Sequence, residues 1–247
     1  MPHRFVTFQE RPDLDERWEE TVGTAWPEFL LHGSTINERW HHLFDDYPTL
    51  QLYLVDEADQ VLGVANTVPF AWDGDVATLP GGVDETIVRA VDQHADGIAP
   101  TTLSAMQAVV TVGNRGRGFA GVLLEAMRRL AADAGFADLM APVRPSWKAR
   151  YPLTPFELYC AWTRPDGLPF DPWLRTHVRA GATFAVPAMD SQRVEGTIEE
   201  WEAWTQMSFP DSGEYVVEGA LIPVTMDREA GRGVIVEPNY WMRHPIA

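Results

Sequence analysis

The sequence predicts a mixed α/β fold, a central mixed sheet flanked by helices with extra strands and loops at the C-terminus. Three observations predict it. β-rich runs alternate with amphipathic helical segments between residues 5 and 186. A strand, a glycine-rich turn and a long amphipathic helix follow one another directly over residues 102–134. The 247 residues, 45% of them hydrophobic, suffice for a sizeable core.

The elements follow in order. Residues 5–8 read as a short first strand. Apolar residues at Leu14, Trp18, Val22, Trp26 and Leu30 have helical spacing and predict a helix over 13–31. Asn37 is placed to cap a second helix over 37–44. Two β-rich runs, 50–55 and 61–68, flank the polar segment 56–60, which has hairpin length. Pro80-Gly81-Gly82 marks a turn before a helix over 83–94. Residues 102–112 predict a central strand, and 119–134 a helix stopped by Gly135. A strand over 137–143 precedes the Pro-rich stretch 144–170, which reads as an insertion. A helix over 172–180 ends at Gly181, and a strand follows at 183–186. In the tail, a short acidic helix holds Trp201 and Trp204, and strands are expected at 215–225 and 234–236.

Composition narrows the function. The net charge of −17 repels the nucleic-acid backbone, and no apolar run approaches a membrane span. The first ten residues lack the apolar core of a signal peptide, so a cytoplasmic protein is expected. The lone cysteine, Cys160, excludes an internal disulfide and a cysteine-based metal cluster, and no other spacing predicts a metal. Basic residues are scarce and gather at Arg115, Arg117, Arg128, Arg129, Arg144, Lys148 (the one lysine) and Arg150. An acidic chain with one basic region suits an anionic small molecule.

The turn after the central strand has the makings of an anion site. The first N–H groups of a helix lack backbone acceptors, the dipole adds positive charge, and glycine lets the backbone approach a phosphate closely. Arg115 and Arg117 add further charge.

Here the residues resemble two families. Arg115-Gly116-Arg117-Gly118-Phe119-Ala120 is the complete loop motif of the GNAT (N-acetyltransferase) superfamily, and a strand precedes it. Residues 110–118 also look like the cofactor turn of short-chain dehydrogenases. That turn follows the first strand of its fold, whereas more than 100 residues precede it here. Those enzymes also pair a tyrosine with a lysine four residues later, and position 144, four before Lys148, is arginine. Element order agrees with the GNAT resemblance over residues 3–190, leaving 144–170 as an insertion and 191–247 as a C-terminal extension packed on the same domain.

The GNAT resemblance implies acetyl-CoA or another acyl-CoA as co-substrate, with no metal. The pantetheine arm would lie along Val110, Thr111 and Val112, where a backbone N–H near Val110 or Ala108 would polarise the thioester. The diphosphate would meet the N–H groups of Arg115, Gly116, Arg117, Gly118, Phe119 and Ala120. Many members place a tyrosine four residues before the glycine that ends the later helix. This chain has His177 there, a departure from the pattern, and His177 is the first candidate for the acid that protonates the leaving thiolate. Tyr159 is a second acid candidate and Glu157 a candidate base. Arg144, Lys148 and Arg150 could hold a substrate carboxylate or the CoA 3′-phosphate. The expected function is transfer of an acetyl or other acyl group to a small amine-type acceptor by direct attack, in a monomer or homodimer that binds neither nucleic acid nor membrane. The alternatives are a GNAT-fold acyl-CoA sensor without turnover and, more weakly, an NAD(P)-dependent reductase.

Overall fold

The computed structural model describes residues 2–17 and 22–246. Strand β1 (His3–Thr7) pairs antiparallel with β2 (Gln51–Asp56), and β2 forms a hairpin with β3 (Val61–Phe70). Asp56 shapes the hairpin turn, because its Oδ1 accepts from the N–H groups of Ala58 and Gln60. β3 pairs antiparallel with β4 (Thr102–Val110), and β4 pairs parallel with β5 (Asp138–Val143).

The C-terminal part is woven into the same sheet. β9 (Arg232–Pro245) pairs antiparallel with β5 through residues 240–245, and with β8 (Val224–Asp227) through residues 232–234. β7 (Gly213–Tyr215) forms the edge beyond β8, and the long β6 (Thr183–Thr197) runs along the other side of β9. The expected boundary at residue 190 therefore falls inside a strand. The tail is part of the main sheet because the fourteen-residue β9 pairs with β5 at its C-terminal end and with β6 along most of its length. Only residues 234–236 read as strand in the sequence, since Pro238 and Pro245 interrupt the local pattern.

Helix α1 (Ser34–Arg39), α2 (His42–Asp45) and α3 (Val83–Ala95) pack against the sheet with Val68, Phe70, Ile87 and Trp241. Helix α4 (Phe119–Asp133) packs against β3, β4 and β5 through Leu123, Leu124, Met127 and Ala131. Gly63 makes the close approach to β3 feasible. A Cβ there would stand 2.7 Å from the Val109 carbonyl oxygen and 3.0 Å from Leu123. Helices α5 (Phe156–Cys160) and α6 (Pro172–Arg179) follow, and α7 (Ile198–Thr205) starts at a capping box made by Thr197 and Glu200.

The expected helix over 13–31 is not continuous in its described parts. It is broken into 3-10 turns at Pro12–Arg17, Gly23–Ala25 and Glu28–His32, with Gly23 and Pro27 as interruptions, and Trp18 lies outside the described residues. Asn37 sits inside α1 rather than capping it, and its Nδ2 donates to the Leu31 carbonyl.

Candidate active site

β4 and β5 are paired only at Leu103–Leu139 and Ser104–Met140, and then part. A bulge in β4 drives the separation. The β3 register passes from Thr67–Ala105 to Asn66–Gln107, leaving Met106 without a partner, and a bulge bends its strand. Beyond it opens a cleft of about 980 Å³ that reaches from Val110 and the Arg115–Ala120 turn to Trp26, Trp40, Trp147 and Trp173.

The exposed edge of β4 presents hydrogen-bonding groups to the cleft. Thr111 N–H donates to the Leu62 carbonyl at 3.1 Å, so Gly63 and Val110 form a non-hydrogen-bonded pair. The Val110 N–H, and by strand alternation that of Ala108, then face the gap. Thr111 is turned to β3 instead, since its hydroxyl also donates to Leu62 O. Val112 leaves the strand for a 3-10 turn and is 58% exposed. Of the three residues expected along the pantetheine arm, Val110 borders the cleft and Thr111 and Val112 do not.

The turn itself is open to solvent. Gly116 and Gly118 take positive φ (77° and 85°), the left-handed region that a side chain disfavours, and nothing lies within 4 Å of where their Cβ atoms would be. Gly118 caps α4 with no side-chain acceptor, so the first helical N–H groups face outward. Arg115, Gly116, Gly118, Phe119 and Ala120 border the cleft. Arg117 points elsewhere, donating to Asn114 Oδ1 at 2.8 Å and lying over the Phe119 ring.

Of the catalytic candidates, His177 alone borders the cleft. Its ring is buried on α6. Nδ1 lies 2.8 Å from His244 Nε2, Trp173 packs edge-on at 4.3 Å, and Nε2 has no partner among the described residues. Burial, with His244 beside it, lowers its pKa well below the ordinary histidine value. His177 is therefore a neutral imidazole near pH 7. It can offer an N–H hydrogen bond, but it is not the imidazolium that a proton-donating acid requires.

Tyr159 does not line the cleft, which corrects its expected role. Its hydroxyl donates to Asp171 Oδ2 at 2.8 Å, and burial followed by the charge of Asp171 pushes its pKa far up. Glu157 is exposed and lies outside the cleft lining, so its place as a base is also corrected. Asp171, unremarked in the sequence, instead organises this region. It caps α6 through Trp173 and Leu174 N–H, and it accepts the N–H groups of Ser146 and Trp147.

Two of the three expected anion ligands in the insertion are engaged within the fold. Lys148 is fully buried, and its Nζ donates to the carbonyls of Tyr151 and Leu221, so the ammonium ties the insertion to the tail. Arg144 pairs with the buried Glu237 at 2.6 Å and donates to Gly219 O. Arg150 has no ion pair among the described residues and stacks over Trp147 at 4.7 Å. Gln107, also missed by the sequence reading, lines the cleft and donates to Asn66 Oδ1, which places a buried amide network behind β4.

No family model matches the chain. The arginine N-acetyltransferase avaD of Aspergillus versicolor is 29% identical, over 97% of this chain and 93% of that protein. The loading GNATL domain of CurA from Lyngbya majuscula superposes with a TM-score of 0.60 at 14% identity, covering 100% of this chain and 98% of that one.

The chain has the GNAT fold.

A second GNAT-fold structure, the GphF GNAT-like decarboxylase in complex with isobutyryl-CoA, superposes over the full length of both chains with a TM-score of 0.53 at 15% identity. The chain is similar over 97% of its length to an enzyme of the N-acetyltransferase type. The reductase alternative loses its footing in the sheet, where the strand before the glycine turn is the fourth and has an antiparallel neighbour, β3.

Proposed function

We propose that the protein moves an acetyl or other acyl group from coenzyme A to the amine of a small acceptor by direct attack. The observation that carries this reading is the parting of β4 and β5 immediately beside the open Arg115–Ala120 turn.

In this reading the diphosphate rests on the outward N–H groups of the turn, with Arg115 as a counter-charge. The pantetheine arm runs beside β4 like an added strand. The N–H groups of Ala108 and Val110 polarise the thioester carbonyl. The acceptor enters from the aromatic end, past Trp26, Trp40 and Trp173. Its neutral nitrogen attacks the carbonyl carbon, a C–N bond forms and the C–S bond breaks. The proton shed by nitrogen balances the charge on sulfur through solvent, so no strong base is required. Neutral His177 assists by offering an N–H hydrogen bond to the departing sulfur. Arginine, the acceptor in the name of the fungal relative, is the first acceptor to try, and the tryptophan faces suit a guanidinium.

The test is release of free CoA, followed with a thiol reagent, on incubation with acetyl-CoA and a panel of amines that includes arginine. Release that depends on the amine, with an acylated product of matching mass, supports transfer. Tight acyl-CoA binding without release overturns it in favour of a sensor.

A further inference from the structure

We infer that Arg150 is a carboxylate-recognition residue at the acceptor end of the cleft, holding an anionic group on the substrate rather than on coenzyme A. This rests on the transferase reading above and goes beyond it, because it assigns a chemical class to what the cleft must recognise.

The first ground is charge. The chain holds 36 acidic and 19 basic residues. Yet among the described residues lining the cleft there is no aspartate or glutamate, and three are arginines: Arg115, Arg144 and Arg150. Glu237 neutralises Arg144, so Arg115 and Arg150 leave the cleft with a net positive lining that draws anionic groups.

The second ground is elimination. Arg115 belongs to the phosphate turn, and Arg144 is held by Glu237 and Gly219. Arg150 alone of the three lies beyond the turn with no carboxylate partner among the described residues.

The third ground is rigidity. Arg150 stands on a fixed platform. Asp171 accepts the N–H groups of Ser146 and Trp147, and Arg150 N–H donates to Trp147 O at 3.0 Å. Lys148 pins the intervening backbone to Leu221 O. The exposed guanidinium lies over the Trp147 ring, and its N–H fork has no hydrogen bond or ion pair among the described residues. A planar fork held in place matches a carboxylate in two-point contact.

The carboxylate could belong to the acceptor, as in an amino acid, or to the acyl chain, as in a dicarboxylic acyl-CoA. Steady-state kinetics on wild type, Arg150→Ala and Arg150→Lys separate these. One arm compares arginine with argininamide as acceptor of acetyl-CoA. A second compares succinyl-CoA with butyryl-CoA by calorimetric affinity. A third compares CoA with 3′-dephospho-CoA. The expected result is a wild-type preference for the carboxylate form, in kcat/KM or in affinity, that falls by about 10- to 100-fold in Arg150→Ala and only partly in Arg150→Lys. The arm in which this happens names the carrier of the carboxylate, while acetyl-CoA KM stays within about twofold. No carboxylate preference in wild type, or one that survives Arg150→Ala, overturns the inference and leaves the transferase reading intact. Loss confined to CoA over its dephospho form makes Arg150 a phosphate contact and overturns it too. If wild type releases no CoA with any amine and the succinyl preference is absent, both readings fall.

Discussion

The Nδ1 atom of His177 lies 2.8 Å from Nε2 of His244, joining helix α6 to the last strand of the sheet behind the cleft. One ring must donate and the other accept, so the tautomer of His177 is set by that of His244. The pair thus couples the wall of the cleft to β9, a strand that the sequence pattern barely reveals.

His177→Ala should lower kcat by roughly 10- to 100-fold while leaving the acetyl-CoA dissociation constant within about twofold, as expected for a hydrogen bond made only to the departing sulfur. Pre-steady-state release of CoA and calorimetric binding measure the two separately. Unchanged kcat removes His177 from the mechanism.

Acid should destabilise the fold through this pair. Burial lowers both pKa values, His244 to about 4 with Arg128 adding to the effect, from an ordinary value of 6.5. Between those values the unfolded chain binds more protons than the folded one, so stability is present above pH 6.5 and is lost as pH falls toward 4. Urea midpoints across this range should show a loss on the order of 2 kcal/mol that a His177→Phe/His244→Leu double variant lacks. An identical pH slope in both proteins would place the loss on other groups.

Gly118→Val should raise KM for the acyl-CoA about tenfold or more and cost roughly 1–2 kcal/mol of stability, since φ is 85° at the head of α4. Arg115→Ala should raise the same KM without altering the melting temperature, because its side chain is exposed and has no ion pair among the described residues. That effect should shrink with added salt.

Lys148→Ala should destabilise the protein by about 3 kcal/mol or more, because it leaves the Tyr151 and Leu221 carbonyls facing a cavity. Thermal melts measure it, and a change below about 1 kcal/mol would mean that the insertion and the tail hold together without the ammonium.

Cys160 should resist a thiol reagent at pH 8 in the folded protein and react at once in denaturant. Burial, with Asp171 adding to it, pushes its thiol up to about 12, where almost no thiolate is present. Fast labelling of the native chain would contradict its burial.

The sequence by itself determined the strand–turn–helix of residues 102–134. Everything that defines it is local: β-branched and apolar residues, two glycines able to take positive φ, and the helical spacing after Phe119. The hairpin at Asp56 was legible for the same reason. Tertiary structure alone decided which side chains face the cleft. Tyr159 and Lys148 look like candidates for chemistry when read in sequence. They become framework because Asp171 and the Leu221 carbonyl, distant along the chain, meet them in a dry interior. Arg150 stands out only because Glu237, 93 residues from Arg144, claims that arginine first. Such pairings follow from packing at long sequence separation, which no local period encodes.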